Sequence, residues 1–294
     1  MNTLGWRIAV VVSLVVLATS LPVSSSIAQT EIDLPTGVRM HFVEQGPADG
    51  STLVLLHGYS DSGFSFSRVA PALSTARRVI VPDLRGHGRS SRPVAGYTMD
   101  DLAADVVALL DVLGVETAVV VGHSMGSLVA QRIAASFPGR VEALVLVGSA
   151  PSIHDLPGLD EFRAEIDGLT DPVPEGFVRS FQESTVALPI PAEFMDGVVA
   201  ESLRLPARVW QQLLAGMLAT GPVRAGEVRV PTLLQWGAED GVFSRDQQDE
   251  LLALFPGARL IVYDAVGHAP HWESPETFAV DLEAFLDGLS TPDA

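Results

Sequence analysis

Cysteine and lysine are both absent from the 294 residues. Without cysteine there can be no disulfide, no thiolate nucleophile and no Cys-ligated metal. Without lysine there is no Schiff base, no pyridoxal-phosphate anchor and no P-loop phosphate lysine. All 18 basic residues are arginine, and 36 acidic residues outnumber them, for a formal net charge of −18. Nucleic acid is excluded as a partner, because counterion release needs clustered cations. Anionic membrane surfaces are disfavoured for the same reason. The histidines scatter with no metal-ligand spacing, so neither a metal nor a cofactor is expected. No internal repeat is visible. Apolar residues make up 47% of the chain, enough for a large core.

Residues 1–28 have the layout of a secretory leader: Arg7, an apolar stretch over 8–18, then Ser26-Ile27-Ala28 ahead of Gln29. Cleavage there predicts an exported protein with no stable membrane insertion. An uncleaved N-terminal anchor is the alternative, although the apolar stretch is short for a spanning helix. Residues 31–45 alternate around Pro35-Thr36-Gly37 and predict an antiparallel hairpin. Continuous apolar runs predict strands buried on both faces near 51–58, 77–84, 118–122 and 141–147, with further strands at 228–237 and 259–263. Helix patterns lie between them. The clearest, over 98–113, has Thr98 and Asp101 as a capping box, acidic residues in its first turn and Gly114 at its end. Strand and helix alternation predicts a parallel, doubly wound α/β sheet.

The alternation is organised around Val119-Val120-Val121-Gly122-His123-Ser124-Met125-Gly126. A β-branched run meets a Gly-x-Ser-x-Gly turn, and a small-residue helix pattern follows. Glycines at both flanks let strand and helix pass closely while Ser124 takes a strained conformation. This is the pattern of a nucleophile elbow.

With the elbow, two further segments resemble the α/β-hydrolase family. One is His57-Gly58-Tyr59 after the first buried strand; the other is Pro82-Asp83-Leu84-Arg85-Gly86-His87-Gly88-Arg89-Ser90 after the second. The resemblance spans almost the whole chain beyond the leader. It implies an α/β-hydrolase fold: a mostly parallel sheet, an antiparallel N-terminal hairpin and a helical cap before the last two strands. The core would comprise 29–150 and 227–294. The cap would comprise 151–226, where prolines separate short helices and no strand pattern occurs. Within it, 206–220 carries a broad apolar face, with Pro206 suited to the first helical position.

The resemblance also implies site residues. Ser124 is the nucleophile and the backbone N–H groups of Tyr59 and Met125 form the oxyanion hole. Asp240, in the Gly-x-x-Asp turn counted from Gly237, is the acid, and His268, after Gly267, is the base. Glu239, Asp155 and Asp264 are the rival acids, and His271 is the rival base. Asp83 and His87 are expected to be scaffold, as is the side chain of His57. His123, Trp210 and Leu214 are possible pocket lining. A serine at the elbow excludes the aspartate-nucleophile relatives, the haloalkane dehalogenases and epoxide hydrolases. The expected activity is hydrolysis of a small to medium apolar carboxylic ester through an acyl-enzyme. A lactonase, a C–C bond hydrolase or a cofactor-free perhydrolase could use the same residues. A non-enzymatic ligand receptor or regulatory module is the alternative of another class. Oligomeric state is not readable from the sequence.

Overall fold

The computed structural model describes residues 28–289. The leader expected over 1–28 lies outside them apart from Ala28. The described chain opens with β1 (Ala28–Asp33) and β2 (Arg39–Gln45), paired antiparallel as the hairpin pattern predicts. β3 (Thr52–Leu56), α1 (Ala70–Leu73) and β4 (Arg78–Pro82) follow. Next come α2 (Met99–Val112), β5 (Ala118–His123), α3 (Met125–Ser136) and β6 (Val141–Val147). Four helices then interrupt the alternation: α4 (Leu159–Asp167), α5 (Glu175–Glu183), α6 (Ala192–Ser202) and α7 (Ala207–Leu218). β7 (Thr232–Gly237), α8 (Arg245–Leu254), β8 (Arg259–Tyr263), α9 (Pro270–Glu273) and α10 (Pro275–Leu289) complete the described chain.

The strands form one sheet in the order β1-β2-β4-β3-β5-β6-β7-β8. β2 runs antiparallel to both neighbours, and every pairing from β4 to β8 is parallel. Side chains alternate across a strand, so a strand covered on both faces must be apolar throughout. β3 shows this. Val54 and Leu56 join one core with Leu102, Val106 and Leu109 of α2 and Leu213 of α7. Leu53 and Leu55 join the opposite core with Leu73 of α1 and Phe278 and Leu282 of α10.

Helix ends follow local chemistry. Thr98 and Asp101 form the reciprocal capping box of α2, and Ser244 and Gln247 form that of α8. Pro206 differs from expectation: it is the N-cap of α7, with ψ 152°, and Ala207 is the first helical residue. Its extended ψ turns the chain into the helix one residue later. β7 is also shorter than its sequence pattern, beginning only after Pro231, which has no N–H for a ladder bond.

Candidate active site

The elbow places Ser124 between the end of β5 and the first residue of α3. Ser124 has φ 51° and ψ −120°, a conformation that costs on the order of 1–3 kcal/mol for a non-glycine residue. Its surroundings hold it there. The Ser124 N–H donates to the Val147 carbonyl at 3.0 Å. The Ser124 carbonyl accepts from the Ser127 N–H at 2.8 Å and from Ser127 Oγ at 2.6 Å. The flanking glycines are a steric requirement. A Cβ on Gly122 would lie 2.3 Å from the Gly126 carbonyl oxygen, and one on Gly126 would lie 2.3 Å from that of Leu56.

Asp240 and His268 come together from the segments after β7 and β8. His268 Nδ1 lies 3.1 and 3.0 Å from the two Asp240 carboxylate oxygens, and neither side chain is more than 3% exposed. Asp240 Oδ1 also accepts the N–H groups of Val242 and Phe243 at 2.8 and 2.9 Å, which fixes the carboxylate. A carboxylate accepts only, so Nδ1 carries the proton and Nε2 is left with its lone pair. The backbone N–H of His268 donates to the Thr185 carbonyl at 2.9 Å. The rival acids Glu239, Asp155 and Asp264 are all exposed. His271 is buried against Phe66, with Nε2 3.1 Å from Ser65 Oγ.

Ser124 and His268 both line a cavity of about 700 Å³, its open mouth included. Tyr59, Met125, His123 and Leu214 line it as well. The backbone N–H groups of Tyr59 and Met125 have no hydrogen-bond partner among the described residues. Met125 also opens a helix of 12 residues, whose N-terminus favours negative charge. Apolar wall comes from the inserted segment through Ile153, Leu156, Phe162, Phe181 and Met217, and from Val242, Phe243 and Trp272. The expectation for Trp210 is corrected. Its side chain is wholly buried behind the wall, with Tyr59 and Phe181, which do line the cavity, packed edge-on against its ring. Tyr59 Oη donates to the Trp210 carbonyl at 2.7 Å, so α7 braces the loop after β3 with its backbone.

The remaining motif residues hold loops. His57 Nδ1 donates to the Gly58 carbonyl at 2.9 Å, and Nε2 accepts the Leu84 N–H at 3.0 Å. Burial brings His57 down to about 4, so the ring is neutral. Arg85 forms a buried two-pronged pair with Asp105 of α2 at 2.5 and 2.6 Å. Asp83 pairs with His41 at 2.8 Å, while His87 Nδ1 instead donates to the Arg85 carbonyl at 3.0 Å.

Two acidic residues at the site escaped the sequence reading. Glu273 Oε2 accepts the N–H groups of Ala187, Leu188 and Gly267 at 2.8–2.9 Å, tying the segment before His268 to the connection between α5 and α6. Asp61 lines the cavity, and burial pushes its carboxyl up to about 7. The sequence signal for both is weak, since an isolated acid, in a loop as Asp61 is or at a short helix end as Glu273 is, is usually solvated.

A family model described as the alpha/beta hydrolase fold matches residues 51–221. Lipase 3 of Moraxella sp. (strain TA144) is 27% identical over 273 residues, covering 90% of this chain and 86% of the lipase. The non-heme chloroperoxidase of Streptomyces lividans is 30% identical over 268 residues, covering 85% of this chain and 96% of that protein. Among solved structures, the esterase EaEST from Exiguobacterium antarcticum superposes with a TM-score of 0.80 at 22% identity, covering 88% of this chain and all of the esterase. At that identity the likeness speaks to the fold. With over half its length matched by the family model, the chain belongs to the α/β-hydrolase fold family.

Proposed function

We propose that the protein hydrolyses carboxylic esters through a serine acyl-enzyme, with Ser124 as nucleophile, His268 as base and Asp240 as its orienting acid. One observation carries the reading: His268, held by the buried Asp240 carboxylate, and a strained, half-buried Ser124 open onto the same largely apolar cavity. The lipase relative agrees with it.

In the first step Ser124 Oγ attacks the ester carbonyl carbon as His268 Nε2 takes its proton. Asp240 stabilises the imidazolium through Nδ1. The carbonyl oxygen becomes an oxyanion held by the Tyr59 and Met125 N–H groups, each worth on the order of 3 kcal/mol to the transition state. The C–O bond to the alcohol breaks, and the alcohol leaves with the proton from His268. Water, deprotonated by His268, then attacks the acyl carbon and releases the acid and Ser124. The apolar wall favours small to medium apolar acyl groups, and the helices between β6 and β7 act as the cap that sets their size.

Hydrolysis of nitrophenyl butyrate by protein beginning at Gln29 tests the reading. Turnover should fall by about 10⁴-fold or more in a folded Ser124→Ala variant. A folded wild-type protein with no ester turnover, or a Ser124→Ala variant as fast as wild type, contradicts it. The leader-like pattern over 1–28 supports export from the cytoplasm. N-terminal sequencing of exported protein should start at Gln29, and an intact Met1 in that fraction would favour the anchored alternative.

A further inference from the structure

Asp61 and His123 are both buried, both line the cavity beside Ser124, and neither has a part in the proposed acyl transfer. Asp61 Oδ1 accepts from Gln182 Nε2 at 3.1 Å, which fixes the carboxyl from helix α5. Gln182 Nε2 also lies 3.1 Å from Ser60 Oγ and 2.9 Å from Ser202 Oγ, so the amide is locked into core and inserted helices together. His123 Nε2 lies 3.2 Å from the His268 carbonyl. A carbonyl only accepts, so this nitrogen holds the ring proton and His123 Nδ1 is left as a bare acceptor. That Nδ1 is buried without a hydrogen-bond partner among the described residues. It lies 3.9 Å from Asp61 Oδ2.

At 3.9 Å the two atoms are too far apart to bond each other. They are also too close to be strangers: a single oxygen can stand about 2.8 Å from both, the ordinary hydrogen-bond length. The proton inventory defines that oxygen. Burial raises the Asp61 carboxyl to about 7, against the opposing bonds of Gln182, Gly58 and Ser65, so below that pH the acid is mostly protonated; with Oδ1 accepting from Gln182, a proton on Oδ2 makes that oxygen a donor opposite the acceptor His123 Nδ1. The bridging group must accept one hydrogen bond and donate another, which is the pattern of a hydroxyl. A leftover acceptor in a cavity rejects a plain alkyl group and rewards the matching polar one.

We infer that Asp61 and His123 form a polar subsite in the acyl-transfer cavity that takes a hydroxyl of the substrate, so that the preferred esters carry an O–H close to the ester carbonyl. The proposal rests on the ester-hydrolase reading for its chemistry. Asp61 determines specificity and takes no proton from the reacting atoms.

The test compares two isosteric pairs. Nitrophenyl β-hydroxybutyrate against nitrophenyl isovalerate puts the hydroxyl on the acyl side. Hydroxyethyl butyrate against propyl butyrate puts it on the alcohol side. Wild type should favour the hydroxyl-bearing member of one pair by about tenfold in kcat/KM, and that pair names the side. Asp61→Asn, which keeps a donor and an acceptor in the same shape, should retain most of the ratio, and Asp61→Leu should bring it to about one. Equal kcat/KM within both pairs in wild type overturns the subsite, as does a ratio that Asp61→Leu leaves intact. The wild-type ratios stand even if Asp61→Leu does not fold. If no ester is hydrolysed, the acyl-transfer reading has failed, and the subsite is tested by calorimetric binding of the four corresponding amides to wild type. The same order of preference supports the subsite, and equal affinities within each pair overturn it.

Discussion

His268–Asp240 and His41–Asp83 are built alike. Each imidazole presents Nδ1 to a buried carboxylate, at 3.0–3.1 Å in the first pair and 2.8 Å in the second. Each carboxylate also accepts two backbone N–H groups: Val242 and Phe243 for Asp240, Gly63 and Arg89 for Asp83. They differ at the far side of the ring. His268 shares a cavity with Ser124, whereas His41 Nε2 is buried with no hydrogen-bond partner among the described residues. A carboxylate that orients an imidazole is therefore a structural part until a nucleophile stands at the other nitrogen. Asp83 uses its bonds to fasten β2, the turn at Gly63 and the loop to Arg89 into one unit.

The largest expected separation between the pairs is in rate. His268→Gln should lower ester kcat/KM by about 10³–10⁴-fold or more, while His41→Gln should leave it within a few-fold. Comparable losses in both variants would break the distinction. The acids sharpen it. Asp240→Asn should cost about 10⁴-fold in kcat, because an amide favours the wrong imidazole tautomer. Asp83→Asn should act on stability instead, by about 1–3 kcal/mol in urea unfolding, through weakened bonds to His41 and two backbone amides.

Much of the candidate site is legible because its parts are local. Gly122 and Gly126 are demanded by backbone contacts within a few residues of Ser124 or at the adjoining strand end. The capping box at Thr98 is complete within one turn. Asp240 and His268 follow strand ends, where chain order alone restricts the choice. What escaped depends on contacts distant in the chain. Asp83 meets His41 because β2 pairs antiparallel with β4, with Phe42 opposite Pro82 and the Asp83 N–H on the His41 carbonyl. No local spacing reveals that register, so His87 is the nearer partner in sequence and the wrong one in space. Trp210 carries a proper apolar pattern for a cavity wall, but Tyr59 and Phe181 take that place. Asp61 becomes a buried acid only when Gln182 arrives from a helix inserted far down the chain.

Smaller effects should be visible in the pH dependence of stability. Burial raises Asp83, but the bonds from His41 and the amides of Arg89 and Gly63 outweigh it and hold the carboxyl below its ordinary value. Its contribution is therefore present above the unfolded value of about 3.9 and lost as pH falls through the lower folded value. Asp83→Asn should flatten that acid loss. Asp61 has the opposite sign. Burial raises it to about 7, partly offset by its bonds to Gln182 and Gly58. Between about 4 and 7 the folded state binds more of this proton, so stability declines with rising pH by at most about 1.4 kcal/mol per unit. Asp61→Asn should remove that decline in thermal unfolding measured across the window. Curves parallel to wild type in either variant would show that the corresponding carboxyl does not contribute to the pH dependence of stability.

The most direct test is the rate and site of labelling by a fluorophosphonate, read by intact and peptide mass. One adduct on Ser124 is expected, formed at a wild-type rate in His41→Gln, slowed by orders of magnitude in His268→Gln and absent in Ser124→Ala. An adduct on another residue, or labelling of Ser124 at an undiminished rate without His268, would contradict the assignment of His268 as the base that activates Ser124.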